Sequence, residues 1–329
     1  MKLTNEQIRS ILTGTMRVDE QNGALYPRRF NVRQQKIYDD RKMIHVRASA
    51  AMRLEFTTDS NSFSMAYFAR AASSRDFCYY DVYVDGKEVK HFGHDSVGSV
   101  GSVLRVDLPE GEHKVTVYFP NLFETVIQSV SIDDGASFAP VKRPLRYFAF
   151  GDSITQGYDA MRPSLSYANQ IADKLNAEIT NFGIGGEFFI PDLVDFDADT
   201  KAPDIITVAY GTNNWSKIPR EQTIADANEF YARVRAAFPH AKIFAITPIW
   251  RADTERVTDV GALPDSITDI VAAAGAAQAG VTVIRGWELI PHIRDIFSDG
   301  YLHPNDMGFR CYADALFAAM QPHLGEIGK

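Results

Sequence analysis

Near residue 140 the spacing of apolar residues changes period, and this change constrains the fold more than any other feature of the chain. Before it, apolar and polar residues alternate singly, as in strands with one buried face. Leu54, Phe56 and Thr58 follow that pattern. The run YYDVYVDGKEV carries Asp85-Gly86 between two alternating segments, a pair suited to a tight type I′ hairpin. In SVLRVDLPEGEHKVTVYFP two further alternating segments flank Pro109-Glu110-Gly111, which predicts a second hairpin. Only the opening, Asn5 to about Leu12, has helical spacing. Strands and turns without helical runs predict a β-sandwich, of jelly-roll type, over residues 1–140.

After Pro140 short apolar runs alternate with amphipathic ones. RYFAFG, EITNFG, PDIITVAYG, KIFAITPIW and VTVIRG are each bounded as buried strands are. Between and after them come SLSYANQIADKLN, PREQTIADANEFYARVRAAF, a segment from Asp265 to Ala279, and a last one from Asn305 to Gln321, all with helical spacing. Such alternation predicts a parallel sheet covered on both faces, over residues 141–329. The stretch SFAPVKRP, near 137–144, reads as the linker.

Composition narrows the function. A net charge of −8 with no run of five or six like charges argues against a nucleic-acid partner. No apolar run is long enough to span a membrane. The start, MKLTNEQIRSILTGTMRVDE, lacks the basic and apolar regions of a secretory signal. Cys78 and Cys311 lie in different halves and read as free, buried thiols. A cytoplasmic location is the resulting expectation.

Parallel α/β sheets carry their chemistry on loops at the carboxyl ends of the strands. Four such loops follow in order: Gly151-Asp152-Ser153-Ile154-Thr155, then Asn181 to Gly186, then Gly211-Thr212-Asn213-Asn214, then Asp299 to Asp306. A serine hydroxyl needs a base to become a nucleophile, and the tetrahedral oxyanion needs preorganised donors. Ser153 supplies the first, His303 the base, and Asp299 a carboxylate to orient the imidazole. The backbone N–H groups of Ser153 and Gly186 and the side-chain amide of Asn213 are the candidate oxyanion donors. Taken alone, Ser153 would as readily be a helix N-cap.

Together these segments resemble the four blocks of the SGNH (GDSL-like) hydrolase superfamily, over about residues 145 to 325. The resemblance implies a flavodoxin-like three-layer α/β/α domain, an acyl-enzyme on Ser153, and no cofactor or metal. It also selects Gly186 over Gly183, because the family glycine stands five residues after Asn181. Two departures stand out. The family usually sets its Asp three residues before the His, where this chain has Gly300, so Asp299 reaches His303 only if the loop bulges. Otherwise a backbone carbonyl orients the ring, as in some family members. The third block commonly ends Asn-Asp and here reads Asn213-Asn214.

A jelly-roll-like sandwich before such a domain is similar to the layout of family 2 carbohydrate esterases. That resemblance implies hydrolysis of short O-acyl esters, acetyl above all, of a carbohydrate or other small alcohol. The alternative is an acyltransferase using the same acyl-enzyme; a carbohydrate-binding protein with a retired site is a third reading. Trp215 and Trp250 follow the third loop and the next strand and could line a substrate pocket. Other motifs fail: Gly183-x-Gly185 needs glycine where Phe188 stands. His91 and His94 alone make no zinc site. Oligomeric state is not legible in the sequence.

Overall fold

The computed structural model describes residues 1–38, 40–262 and 265–328. The chain divides into two compact units. The first comprises Met1–Asn31, Asp39–Arg143 and Met161–Ser164; the second comprises Val32–Tyr38, Pro144–Ala160 and Leu165–Lys329.

The first unit opens with helix α1 (Asn5–Ile11), which buries Ile8 and Ile11. Thr4 and Gln7 form a reciprocal capping box at its start. After the two-residue strand Leu12–Thr13, which pairs with Arg53 and Leu54, come nine longer strands among the described residues: β1 (Arg17–Gln21), β2 (Ala24–Arg28), β3 (Arg53–Thr58), β4 (Ser62–Ala71), β5 (Cys78–Val84), β6 (Lys87–His94), β7 (Ser99–Asp107), β8 (His113–Tyr118) and β9 (Phe123–Ile132). They form two antiparallel sheets, ordered β1-β2-β9-β4-β7 and β3-β8-β5-β6. The sheets face each other through Tyr67 and Tyr80, with ring centroids 4.6 Å apart, and through Phe56 and Phe63 at 5.5 Å. This is a sandwich.

Asp85 and Gly86, at φ 49° and 78°, make the hairpin between β5 and β6. The second hairpin expectation is corrected. The strands flanking Pro109-Glu110-Gly111 do not pair: β7 lies beside β4 in one sheet and β8 beside β3 and β5 in the other. Each strand buries one face, and the connecting loop is long enough to cross the ~10 Å between sheets. Single alternation does not say which sheet a strand joins. Helical turns at Val32–Gln35 and Asp40–Val46 interrupt the stretch read as all strand. Within the stretch read as the linker, Ala139–Pro140 pairs with β3, and Arg143 donates to both carboxylate oxygens of Glu55. Burial works against ionising Glu55, yet the Arg143 guanidinium beside it brings its carboxyl down to about 2. Cys78 is buried and Cys311 half-buried, both as free thiols.

In the second unit β10 (Leu145–Gly151), β11 (Ala177–Asn181), β12 (Ile205–Ala209), β13 (Lys242–Ile246) and β14 (Val281–Ile284) form a parallel sheet. Its order is β11-β10-β12-β13-β14, the flavodoxin-like arrangement. The helices are α2 (Ser153–Gln156), α3 (Tyr167–Lys174), α4 (Thr212–Lys217), α5 (Arg220–Ala237), α6 (Asp265–Ala276) and α7 (Asp306–Leu324). Crossovers in parallel sheets are right-handed, so connections that run in opposite directions from β10 place their helices on opposite faces. Accordingly α3 packs against α7, and α5 against α6. The fold is therefore an α/β domain with a parallel sheet together with an all-β sandwich. The topological switch point falls between β10 and β12, where the first and third loops emerge. Among the described residues no helix is long and apolar enough to cross a membrane.

Candidate active site

Strand β10 is buried from Tyr147 to Gly151 and delivers Ser153 directly onto α2. A side chain at Gly151 would place its Cβ 2.0 Å from Thr155 Oγ1, so only glycine permits this close return of the chain. Asp152, not Ser153, caps the helix: its Oδ1 accepts from the Ile154 N–H at 3.0 Å. Ser153 is thus the first helical residue, and its hydroxyl is spared for other work. Its N–H is one of the donors that a helix start leaves unused. The Ser153 carbonyl accepts from Gly157 and Tyr158 N–H at 3.1 and 2.9 Å, which folds the following turn back over the serine.

Asp152 is itself buried, and burial pushes its carboxyl up to about 6 against the pull of the Ile154 N–H and of the His303 and Arg251 charges. A carboxyl raised on folding makes the folded state bind more protons, so stability falls as pH rises from about 4 through 6. Asp152→Asn keeps a good cap and removes the buried charge. It is expected to raise Tm at pH 8 and to leave it nearly unchanged at pH 4. Equal shifts at both values in melts of the two proteins would refute this.

The fourth loop closes on itself through a bridge between Phe297 and Pro304 and a bond from Ser298 N–H to His303 O at 2.9 Å. Gly300, at φ 77°, turns the chain inside it. Asp299 Oδ1 accepts the N–H groups of Tyr301, Leu302 and His303 at 3.0, 2.8 and 3.1 Å. That leaves Oδ2 free to meet His303 Nδ1 at 2.7 Å. His303 Nε2 lies 2.9 Å from Ser153 Oγ. The Gly300 turn therefore makes the four-residue spacing work, and the ring nitrogen meets a carboxylate rather than a backbone carbonyl. Burial opposes charge on Asp299, but its bonds from the His303 ring and those three N–H groups hold it well below the ordinary carboxylate range.

The other candidate donors come from the second and third segments. In the second, the neighbours of Gly186 have their N–H groups engaged. Gly183 donates to Asn181 Oδ1 at 2.8 Å, Gly185 to Gln156 Oε1 at 2.7 Å, and Glu187 to Ile184 O at 3.2 Å. Gly186, at φ 70°, is the residue of this turn whose N–H remains for a ligand. The third segment, read as a loop, is instead the first turn of α4. Gly211 at φ 124° makes the turn from β12, and Asn213 Nδ2 donates to Glu187 O at 3.1 Å. One amide hydrogen thus fixes the side chain and the other stays available. Asn214 is fully buried.

Trp215 is corrected as a pocket wall. It is only 1% exposed, its Nε1 donates to Gly261 O at 2.9 Å, and Arg251 covers its ring at 4.9 Å. Because the third segment is helical, Trp215 turns inward with the buried face of α4. Trp250 is half-buried, stacked on His292 at 5.2 Å and beside Phe297 at 5.5 Å. In the sandwich, His91 pairs with Asp81 at 2.7 Å. Sequence reasoning missed Tyr158 and Asp159. The Tyr158 ring lies 5.4 Å from that of His303, and Asp159 Oδ2 lies 4.0 Å from His303 Nδ1. No spacing marks either, since both follow from how the turn after α2 folds.

A flavodoxin-like sheet brings Ser153 and His303 into hydrogen-bond contact at its carboxyl edge, an arrangement chemically able to attack an acyl carbonyl. Residues 149–311 match the GDSL-like lipase/acylhydrolase family model, and the second unit carries a domain of that family. Solved structures share the fold along the chain. A salicylyl-acyltransferase from a tetracycline biosynthetic pathway is 18% identical, with TM-score 0.79, covering 97% of this chain and 96% of its own. A family two carbohydrate esterase from Clostridium thermocellum, in complex with cellohexaose, is 18% identical, with TM-score 0.65, covering 92% and 99%. An acetyl xylan esterase from Butyrivibrio proteoclasticus is 13% identical, with TM-score 0.66, covering 99% and 98%. No curated protein matches the sequence.

Proposed function

We propose that the protein is a serine esterase that removes short O-acyl groups, acetyl foremost, from a carbohydrate or other small alcohol. The observation that carries the reading is the hydrogen-bonded line Ser153 Oγ to His303 Nε2 to Asp299, with bonds of 2.9 and 2.7 Å. Ser153 Oγ attacks the ester carbonyl while His303 Nε2 takes its proton. The tetrahedral oxyanion is met by the N–H groups of Ser153 and Gly186 and by the free Asn213 Nδ2–H. Collapse expels the alcohol, which takes the proton back from His303 and leaves an acyl-Ser153. Water, activated by the same imidazole, then releases the acid. Of the two tryptophans, Trp250 is the one retained as a contact for substrate. The reading needs no metal or cofactor for any step.

Asn213→Ala is expected to lower kcat by about 10²–10³ with KM little changed, the cost of one oxyanion donor. Steady-state kinetics on an acetyl ester decide this. A raised KM with unchanged kcat would instead assign Asn213 to substrate binding.

Acyl transfer is the second reading, favoured by the full-length likeness to a salicylyl-acyltransferase. The two differ only in which nucleophile reaches the acyl-enzyme. Acetyl to octanoyl esters of nitrophenol, and acetylated sugars, assayed with and without an added acceptor alcohol, separate them. Free acid as the product in both conditions supports the esterase. Acylated acceptor in excess of free acid supports the transferase.

A further inference from the structure

Granting the roles proposed for Ser153 and His303, one group close to the imidazole remains without a part in the reaction. Asp159 is only 6% exposed and sits at φ 67°, the left-handed region that L-residues other than glycine occupy at a cost. The turn that holds it is tied to the nucleophile. Tyr158 N–H bonds to the Ser153 carbonyl, and Ala160 N–H to that of Gly157 at 3.2 Å. The seven residues Ser153 to Asp159 thus present both a hydroxyl and a carboxylate to His303. Asp159 Oδ2 stands 4.0 Å from Nδ1, the nitrogen that Asp299 already binds at 2.7 Å. One side-chain oxygen of Asp159, one of Asp299 and a ring nitrogen of His303 all lie within 4.8 Å of one another.

Two carboxylates at one ring nitrogen repel each other while the ring is neutral. When His303 takes the Ser153 proton, the imidazolium attracts both. An interaction unfavourable in the resting state and favourable in the transition state is of the kind that raises kcat. We propose that Asp159 is a second positioning residue for His303, adding negative charge that favours the imidazolium while Asp299 supplies the hydrogen bond. The distance supports a role by charge and not by a direct bond. The other ionisable groups about the ring are Asp299 on its own loop, Tyr158 beside it, and Asp152 before Ser153, which Arg251 also influences.

The test is the His303 pKa in wild type and in Asp159→Asn, read from ring NMR signals assigned by their loss in His303→Gln. Asparagine tolerates the left-handed backbone and removes only the charge. Losing a nearby negative charge disfavours the imidazolium, so the pKa is expected to fall by about one unit. The acid limb of kcat/KM should move down with it, and kcat/KM on the plateau should fall about tenfold. An unmoved pKa and an unmoved limb, whatever the rate, would overturn the inference and leave Asp159 a structural role. If Asp159→Asn melts early, Asp159→Gly carries the same expectation, because glycine accepts this backbone freely. Full ester turnover in Ser153→Ala would instead remove the esterase reading, while the NMR titration would still decide for or against Asp159.

Discussion

Ser153→Ala is expected to remove ester turnover, lowering kcat by on the order of 10⁶, while leaving the fold intact. The size follows from the acyl-enzyme, since without Oγ no covalent intermediate forms and only oriented binding remains. The intact fold follows from the site. Asp152 caps α2, so the serine hydroxyl has no capping role, and its bond is the one to His303. Thermal melts and rates on an acetyl ester, measured together, check both halves. A variant keeping even a tenth of the wild-type rate would show that another group attacks. A serine-directed phosphonate should label the wild type at Ser153 and leave the variant unlabelled.

Asp299→Asn is expected to cost on the order of 10⁴ in kcat, through the tautomer of His303. The loop dictates how the new amide must sit. The position of Oδ1 faces the N–H groups of Tyr301, Leu302 and His303, so an amide NH₂ there would oppose three donors. The carbonyl oxygen must take that place, which turns the NH₂ toward His303 Nδ1. Nδ1 then has to accept, the ring proton moves to Nε2, and Nε2 can no longer take the proton of Ser153. Asp306, the other acid in the segment, begins α7 in the first turn capped by Asn305. Asp306→Asn is accordingly expected to change kcat less than about tenfold. A large loss at Asp306 with none at Asp299 would reverse the assignment.

What the sequence determined was whatever local spacing encodes. The change of period near residue 140 separated single alternation from strand-and-helix alternation, and the two antiparallel sheets of the sandwich and the five-stranded parallel sheet follow that division. The order of short apolar runs located all five parallel strands, because buried strands need continuous apolar residues. Ser153, His303, Asn213 and Gly186 could be named as candidates because the reactive loops of such sheets follow strand ends, with the family spacing choosing Gly186 over Gly183. Contacts between distant segments were not legible, because their partners share no spacing. Alternation around Pro109-Glu110-Gly111 suggested a hairpin, but the choice between two sheets is made by packing across the core. The aromatic character of Trp215 was plain, while its burial under Arg251 depends on how α4 meets the loop carrying Gly261. Whether Asp299 could reach His303 across Gly300 depended on a positive φ that composition permits and only the closed loop enforces. Asp159 belongs to the same class. Its carboxylate approaches His303, 144 positions away in a chain of 329, because a turn folds back on the Ser153 carbonyl, and only tertiary structure brings those two segments together.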